Sequence, residues 1–177
     1  MNIAIIYSSI TGNTAKLANS IADQLKKDNH NVFLLSSLND FNIKNFDFSE
    51  IDLCLIGFWV RKGYLDDYSS DAIKYINNKN IAFFGTACAY NDSIHVINCQ
   101  LKIAQETSMS SNKYLGIFMC QGGVPISRTE KRMLIKEGEP HYLDTDGVKR
   151  HLEASKHPDS DDLEHANIWA KRMCLRA

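Results

Sequence analysis

The chain has 177 residues, 44% of them apolar and 10% aromatic, with 20 Lys+Arg against 21 Asp+Glu for a formal charge of −1. That length suits roughly one domain of 100–200 residues, and the composition excludes disorder, collagen-like repeats and coiled coil. So balanced a charge offers no strong field for nucleic acid or an anionic membrane.

Short β-branched apolar runs alternate with helical patterns along the chain. Ile3-Ala4-Ile5-Ile6-Tyr7 reads as a buried strand. Asn13 to Lys27 reads as a helix with Leu17, Ala18, Ile21, Ala22 and Leu25 on one face. Val32–Leu35 and Asp52–Gly57 are the second and third strands, and Tyr68–Asn77 a weaker helix. Ile81–Phe84 is the fourth strand, ended by Gly85-Thr86. Ser93–Thr107 is a helix with Ile94, Ile97, Leu101 and Ala104 inward. Tyr114–Met119 is the fifth strand, and Ser127–Glu137 a further helix inside an extended connection, 124–156. After His157-Pro158-Asp159, acids open a last helix that turns Leu163, Ala166, Ile168, Trp169, Ala170 and Met173 inward.

Strands that are apolar throughout are covered on both faces, and helices between them imply parallel βαβ units. The expected fold is α/β: one doubly wound domain over 1–177, five parallel strands in order 2-1-3-4-5, helices on both faces. Ligands of such sheets bind at the carboxyl ends of the strands. Function is therefore expected near residues 8–14, 58–63, 86–90 and 120–123.

The first of these segments, Ser8-Ser9-Ile10-Thr11-Gly12-Asn13-Thr14, joins a strand to a helix. Its hydroxyls, glycine and helix start suit a phosphate monoester held by neutral donors. An ordinary N-cap is the plainer reading of the same residues. Neither GxxxxGK[ST] nor GxGxxG occurs. The five cysteines form no CxxC, and no histidine pair has a credible third ligand, so neither a disulfide framework nor a metal site is expected. The start of the chain lacks a signal-peptide pattern, no apolar run is long enough for a membrane span, and a cytoplasmic location is expected.

Ser9-Ile10-Thr11-Gly12-Asn13-Thr14 after a strand resembles the fingerprint [ST]-x-T-G-x-T of the flavodoxin family, where it holds the 5′-phosphate of FMN. The resemblance covers most of the chain. It places Phe58-Trp59-Val60-Arg61-Lys62-Gly63 on the first isoalloxazine loop and Thr86, Ala87, Cys88 and Tyr90 on the second. Cys120-Gln121-Gly122 falls on a third cofactor segment. It implies that Trp59, with Tyr64 or Tyr90, supplies an aromatic slot for the flavin. It also implies redox partner proteins, a reductase donor and an acceptor enzyme, rather than a nucleic acid. The layout is similar to the flavodoxin-like accessory proteins of bacterial bilirubin reduction. Low-potential flavodoxins are strongly acidic whereas this chain is nearly neutral, and Arg61-Lys62 beside the ring would favour negative charge on the reduced flavin. Direct action on a quinone or porphyrinogen, as an FMN-dependent reductase or oxidase, is the alternative.

Overall fold

A computed structural model describes residues 1–37 and 43–177. The apolar runs become strands β1 (Asn2–Tyr7), β2 (Asn31–Ser36), β3 (Leu53–Trp59), β4 (Asn80–Ala87) and β5 (Lys113–Gln121). All pair in parallel, in the order β2-β1-β3-β4-β5. The helices are α1 (Asn13–Lys27), α2 (Asp67–Ile73), α3 (Ile94–Ser108), α4 (Ile126–Met133), α5 (Thr145–Ala154) and α6 (Ser160–Arg176).

Two cores follow from the alternation of side chains along each strand. On one face Ile3, Ile5, Leu53, Leu55, Ala82 and Phe84 meet α1 and α6. Leu17, Ile21 and Leu25 of α1 are fully buried there, each contributing about 1.5–3 kcal/mol. Ser20 donates to Asn167 at 3.2 Å and Lys171 pairs with Asp28 at 3.3 Å, binding α1 to α6. On the opposite face Ala4, Ile6, Cys54, Ile56, Phe58 and Phe83 lie with Ala72 of α2 and Val96, Cys99 and Ile103 of α3.

Four helical expectations need correction, the first being that α4 ends at Met133, short of Glu137. In α3 the buried residues are Val96, Cys99, Ile103 and Thr107, while Ile94 and Leu101 are 71% and 62% exposed. Both stripes have helical spacing. Thr107 can enter the core because its hydroxyl donates to the Ile103 carbonyl at 2.7 Å. Ile168 of α6 likewise faces outward, since Ala166, Ala170 and Met173 suffice to seat that helix closely on the sheet. α2 begins at Asp67 and ends at Ile73, short of Asn77.

The N-terminus of α6 is closed by a capping box. Asp159 accepts from the Asp162 amide at 3.0 Å, and Asp162 accepts from the Asp159 amide at 3.1 Å. The His157 ring joins it through Nδ1, 2.5 Å from Asp162 Oδ2.

Candidate cofactor site

The strand order reverses between β1 and β3, and the loops leaving the carboxyl ends gather above that point. From Tyr7 the chain passes through buried Ser8 and Ser9 to exposed Ile10 and Thr11. Gly12 then turns it into α1 at φ +87, with open space where a Cβ would stand. Gly12, the N-cap residue, has no side chain to cap the helix; Ser9 Oγ instead accepts the Ala15 amide at 3.2 Å. The Asn13 and Thr14 amides lie beyond the reach of intrahelical carbonyls, at the positive end of the helix dipole. Such an end holds a phosphate.

The two threonines of the fingerprint have different settings. Thr11 is at the surface, where Asn13 Nδ2 donates to its hydroxyl at 3.1 Å. Thr14 is 1% exposed, and its hydroxyl donates to the Phe58 carbonyl at 3.3 Å and lies 3.1 Å from Thr86 Oγ1. The Thr14 side chain therefore ties the ends of β3 and β4 to α1 and leaves its amide for a phosphate.

The loop after β3 is organised by a carboxylate. Buried Asp66 caps α2, accepting from the Tyr68 and Ser69 amides at 3.1 and 3.2 Å and from the Ser69 hydroxyl at 2.9 Å. It also accepts the Trp59 amide at 3.3 Å. Arg61 and Tyr64 exchange backbone hydrogen bonds around a tight turn with Lys62 at φ 51 and Gly63 at φ 77, the conformation that favours glycine at the second position. Val60 precedes this turn, half-buried against the core. Arg61 is ion-paired with Asp67. Tyr64 donates to Glu106 of α3 beneath the Lys102 ammonium, and burial pushes its phenol up. Among the described residues the Trp59 indole N–H is buried without a partner, a donor of a kind that native structures rarely leave unused.

The two remaining loops are stitched to these. Gln121 Nε2 donates to the Cys88 carbonyl at 3.3 Å, the Gly122 amide to the Ala87 carbonyl at 2.9 Å, and Asn13 Nδ2 to the Gly123 carbonyl at 2.7 Å. A Cβ on Gly122 would lie 2.8 Å from Thr86 Cβ, so only glycine lets the loops approach this closely. Tyr90 stands at the rim, 43% exposed.

The structure thus brings together the backbone of all four expected segments, but not every expected side chain. Phe58 is fully buried in the α2–α3 core, its ring against Gly85. Cys120 is buried in the α1–α6 core, where burial pushes its thiol up. Ala87 is also a core residue. Strand alternation turns these three inward, so only their main chain reaches the rim. One residue unnoticed in the sequence, Asp66, organises the loop after β3 from beneath it. Asp66 carried a signal, an acid just ahead of a helical pattern. Gly123, within the expected segment 120–123, packs against α5: its Cβ would meet Ser155 Cα at 2.7 Å and the Ala154 carbonyl at 3.0 Å. The 124–156 connection accordingly contains a second helix, α5, seated on the β5 loop.

A helix start whose first two amides lack intrahelical partners, with four converging loops at the switch point of a 2-1-3-4-5 sheet, is the arrangement of the mononucleotide-binding class of doubly wound proteins. The Flavodoxin domain model matches residues 4–171, and the chain belongs to the flavodoxin family. It is 31% identical to the flavodoxin-like domain-containing protein BilS of Clostridioides difficile (strain CD3), over 100% of this chain and 98% of that one. To BilS of Clostridium symbiosum (strain WAL-14163) it is 27% identical, over 92% of this chain and 90% of the relative. Oxidised flavodoxin 2 from Bacillus cereus shares the fold at a TM-score of 0.63 and 15% identity, with 100% of both chains covered. The rubredoxin oxygen:oxidoreductase of Desulfovibrio gigas shares it at 0.60 and 13% identity, over 99% of this chain and 35% of that one. Membership of this family makes FMN the cofactor. The site's chemistry fits: amide donors for one phosphate, and an aromatic side chain with an unused N–H beside the ring loops.

Proposed function

We propose that the protein carries electrons on FMN to a dedicated partner oxidoreductase. FMN supplies the redox chemistry, taking up and releasing electrons, while the protein binds, orients and tunes it. The start of α1 and Thr11 hold the phosphate, and Trp59 covers the flavin from the loop after β3. Asp66 and Thr14 fix those loops by the hydrogen bonds given above, so that the slot exists before the cofactor enters.

The observation that carries this reading is the rim itself. Ile10, 70% exposed, and Tyr90, 43% exposed, stand on two of the loops expected to border the cofactor, which leaves that edge open to a partner protein rather than enclosed in a substrate pocket. The resemblance of the layout to flavodoxin-like accessory proteins of bacterial bilirubin reduction supports a reductase of that kind as the acceptor.

Purified protein should release one FMN per chain, identified by mass. Once reduced, it should be reoxidised by its partner in a single turnover. NAD(P)H supplied alone with a quinone or a porphyrinogen should give no steady turnover; sustained turnover would assign a reductase or oxidase activity to the protein itself.

A further inference from the structure

We propose that the groove between the outer edge of β5 and the last turns of α6 binds a small molecule with an apolar body and a carboxylate. The site lies apart from the cofactor loops and does not rest on the FMN reading. β5 is an edge strand, paired only with β4. Its carboxyl end, at Gln121, leads into a cofactor loop, whereas the groove opens beside Gly116 and Ile117, about 13 Å back along the strand.

α6 supplies the other wall. Trp169, Arg172, Met173 and Arg176 line the groove and recur at the spacing of one helix face. The Trp169 ring is held by Phe84 and Phe118, with centroids 6.3 and 6.1 Å away, and Met173 is buried. Gly116 keeps the strand wall bare. A Cβ there would stand 3.3 Å from Met173 Sδ and 3.7 Å from Arg176 Nη1, so the Arg176 guanidinium lies over exposed backbone. The groove is open on its solvent side and has a volume of about 460 Å³, within the range of sites that hold small molecules.

The charges select the ligand. Arg172 and Arg176 are exposed. The Lys113 ammonium joins them, donating to the Arg176 carbonyl at 3.2 Å. Among the described residues none of these cations has a carboxylate partner. A guanidinium takes a carboxylate through two parallel N–H bonds. The apolar part of the lining, from Trp169, Met173 and Leu175, gains from losing water to an apolar body and gains nothing from a bare ion. A neutral apolar molecule leaves the guanidiniums unused, and a small anion leaves the apolar lining wet. An apolar carboxylate satisfies both.

The experiment titrates isotope-labelled protein carrying its FMN with decanoate, decanol and acetate, followed by NMR. Decanoate should saturate with a sub-millimolar dissociation constant. It should shift the Gly116 and Ile117 amides and the Trp169 indole and leave the Trp59 and Gly122 signals in place. Decanol should bind about tenfold or more weaker for want of the charge-assisted bonds. Acetate should bind about a hundredfold weaker for want of the apolar body. Arg172→Gln/Arg176→Gln should weaken decanoate about tenfold and leave decanol within about twofold, with retained FMN confirming the fold of the variant. Equal binding of decanoate and decanol by the wild type would overturn the proposal, a comparison that needs no variant. So would decanoate affinity unchanged by the Gln pair, or shifts confined to Trp59 and Gly122. A protein that takes decanoate at Gly116 but holds no FMN would support the groove and overturn only the FMN reading.

Discussion

Asp66 shows how one buried side chain sets a functional loop. Its carboxylate holds the first turn of α2 and the Trp59 amide together. Asp66→Ala would strand several buried donors and should cost about 2–3 kcal/mol, about 4–12 °C in melting temperature for a chain of this size. FMN affinity should fall as well, because Trp59 loses its anchor; thermal melts and flavin titration check both. Trp59→Ala should loosen FMN about tenfold and raise flavin emission, since stacking adds about 0.5–1.5 kcal/mol beyond area burial. Unchanged affinity and quenching would leave Trp59 a packing residue. The strand-to-helix connection at Ser8–Thr14 was legible because serine, threonine and glycine follow an apolar strand directly and open an amphipathic helix. Phe58, Ala87 and Cys120 were not, because a strand sends alternate residues away from the rim and sequence position alone does not say which. The ion pair of Arg61 with Asp67 was not legible, because the sequence does not say which acid of α2 meets the turn.

Among the elements, α3 and α6 carry the clearest lessons. α3 has apolar residues on two faces, so periodicity could not select the buried one; the setting of Ser93, which caps the helix, and the packing against β5 chose Val96, Cys99 and Ile103. α5 was missed because Thr145–Ala154 has few apolar residues and owes its place to Gly123 and Thr129. At α6 the cap makes stability depend on pH. Hydrogen bonding to Asp162 raises the His157 pKa from 6.5. This contribution is therefore complete below the unfolded value and lost as pH rises through the folded one. The Asp159 carboxyl is lowered from 3.8, first by its hydrogen bond from the Asp162 backbone; its contribution is present above that value and lost as pH falls through the folded one. His157→Gln should thus lower the melting temperature most near about pH 5–6 and progressively less at higher pH. A difference between wild type and variant that grows from pH 6 to pH 8 would contradict this assignment.

For the molecule as a whole, strand order was legible because continuous apolar runs separated by helices admit few arrangements. Both cores consist of side chains buried between the sheet and its helices, and Leu17, Ile21, Ile56 and Phe83 there are fully buried. The protein without FMN should therefore unfold cooperatively, with native-like circular dichroism. FMN at about 100 times its dissociation constant should add about 2.7 kcal/mol, raising the melting temperature by about 5–10 °C. A shift of that size in thermal scans, saturating as flavin is added, places the binding energy in the preformed loops. With a formal charge of −1, long-range steering of a partner is weak, so the association rate with the acceptor should vary little with salt, measured by stopped flow.

The pairing of α1 with α6 also governs how the molecule is made. α1 ends at Lys27 and α6 starts at Ser160. At roughly 5–20 residues per second the ribosome needs about 7–30 s to deliver the second helix after the first. Once Leu115 of β5 is made, for the last roughly 45 residues before Ser160 or about 2–9 s of that interval, the side of the sheet that carries Phe84 and Leu115 has only α1 for cover. Chaperones that hold exposed apolar segments have their longest opportunity there, and a chain stalled before Ser160 presents the surface on which aggregation would begin.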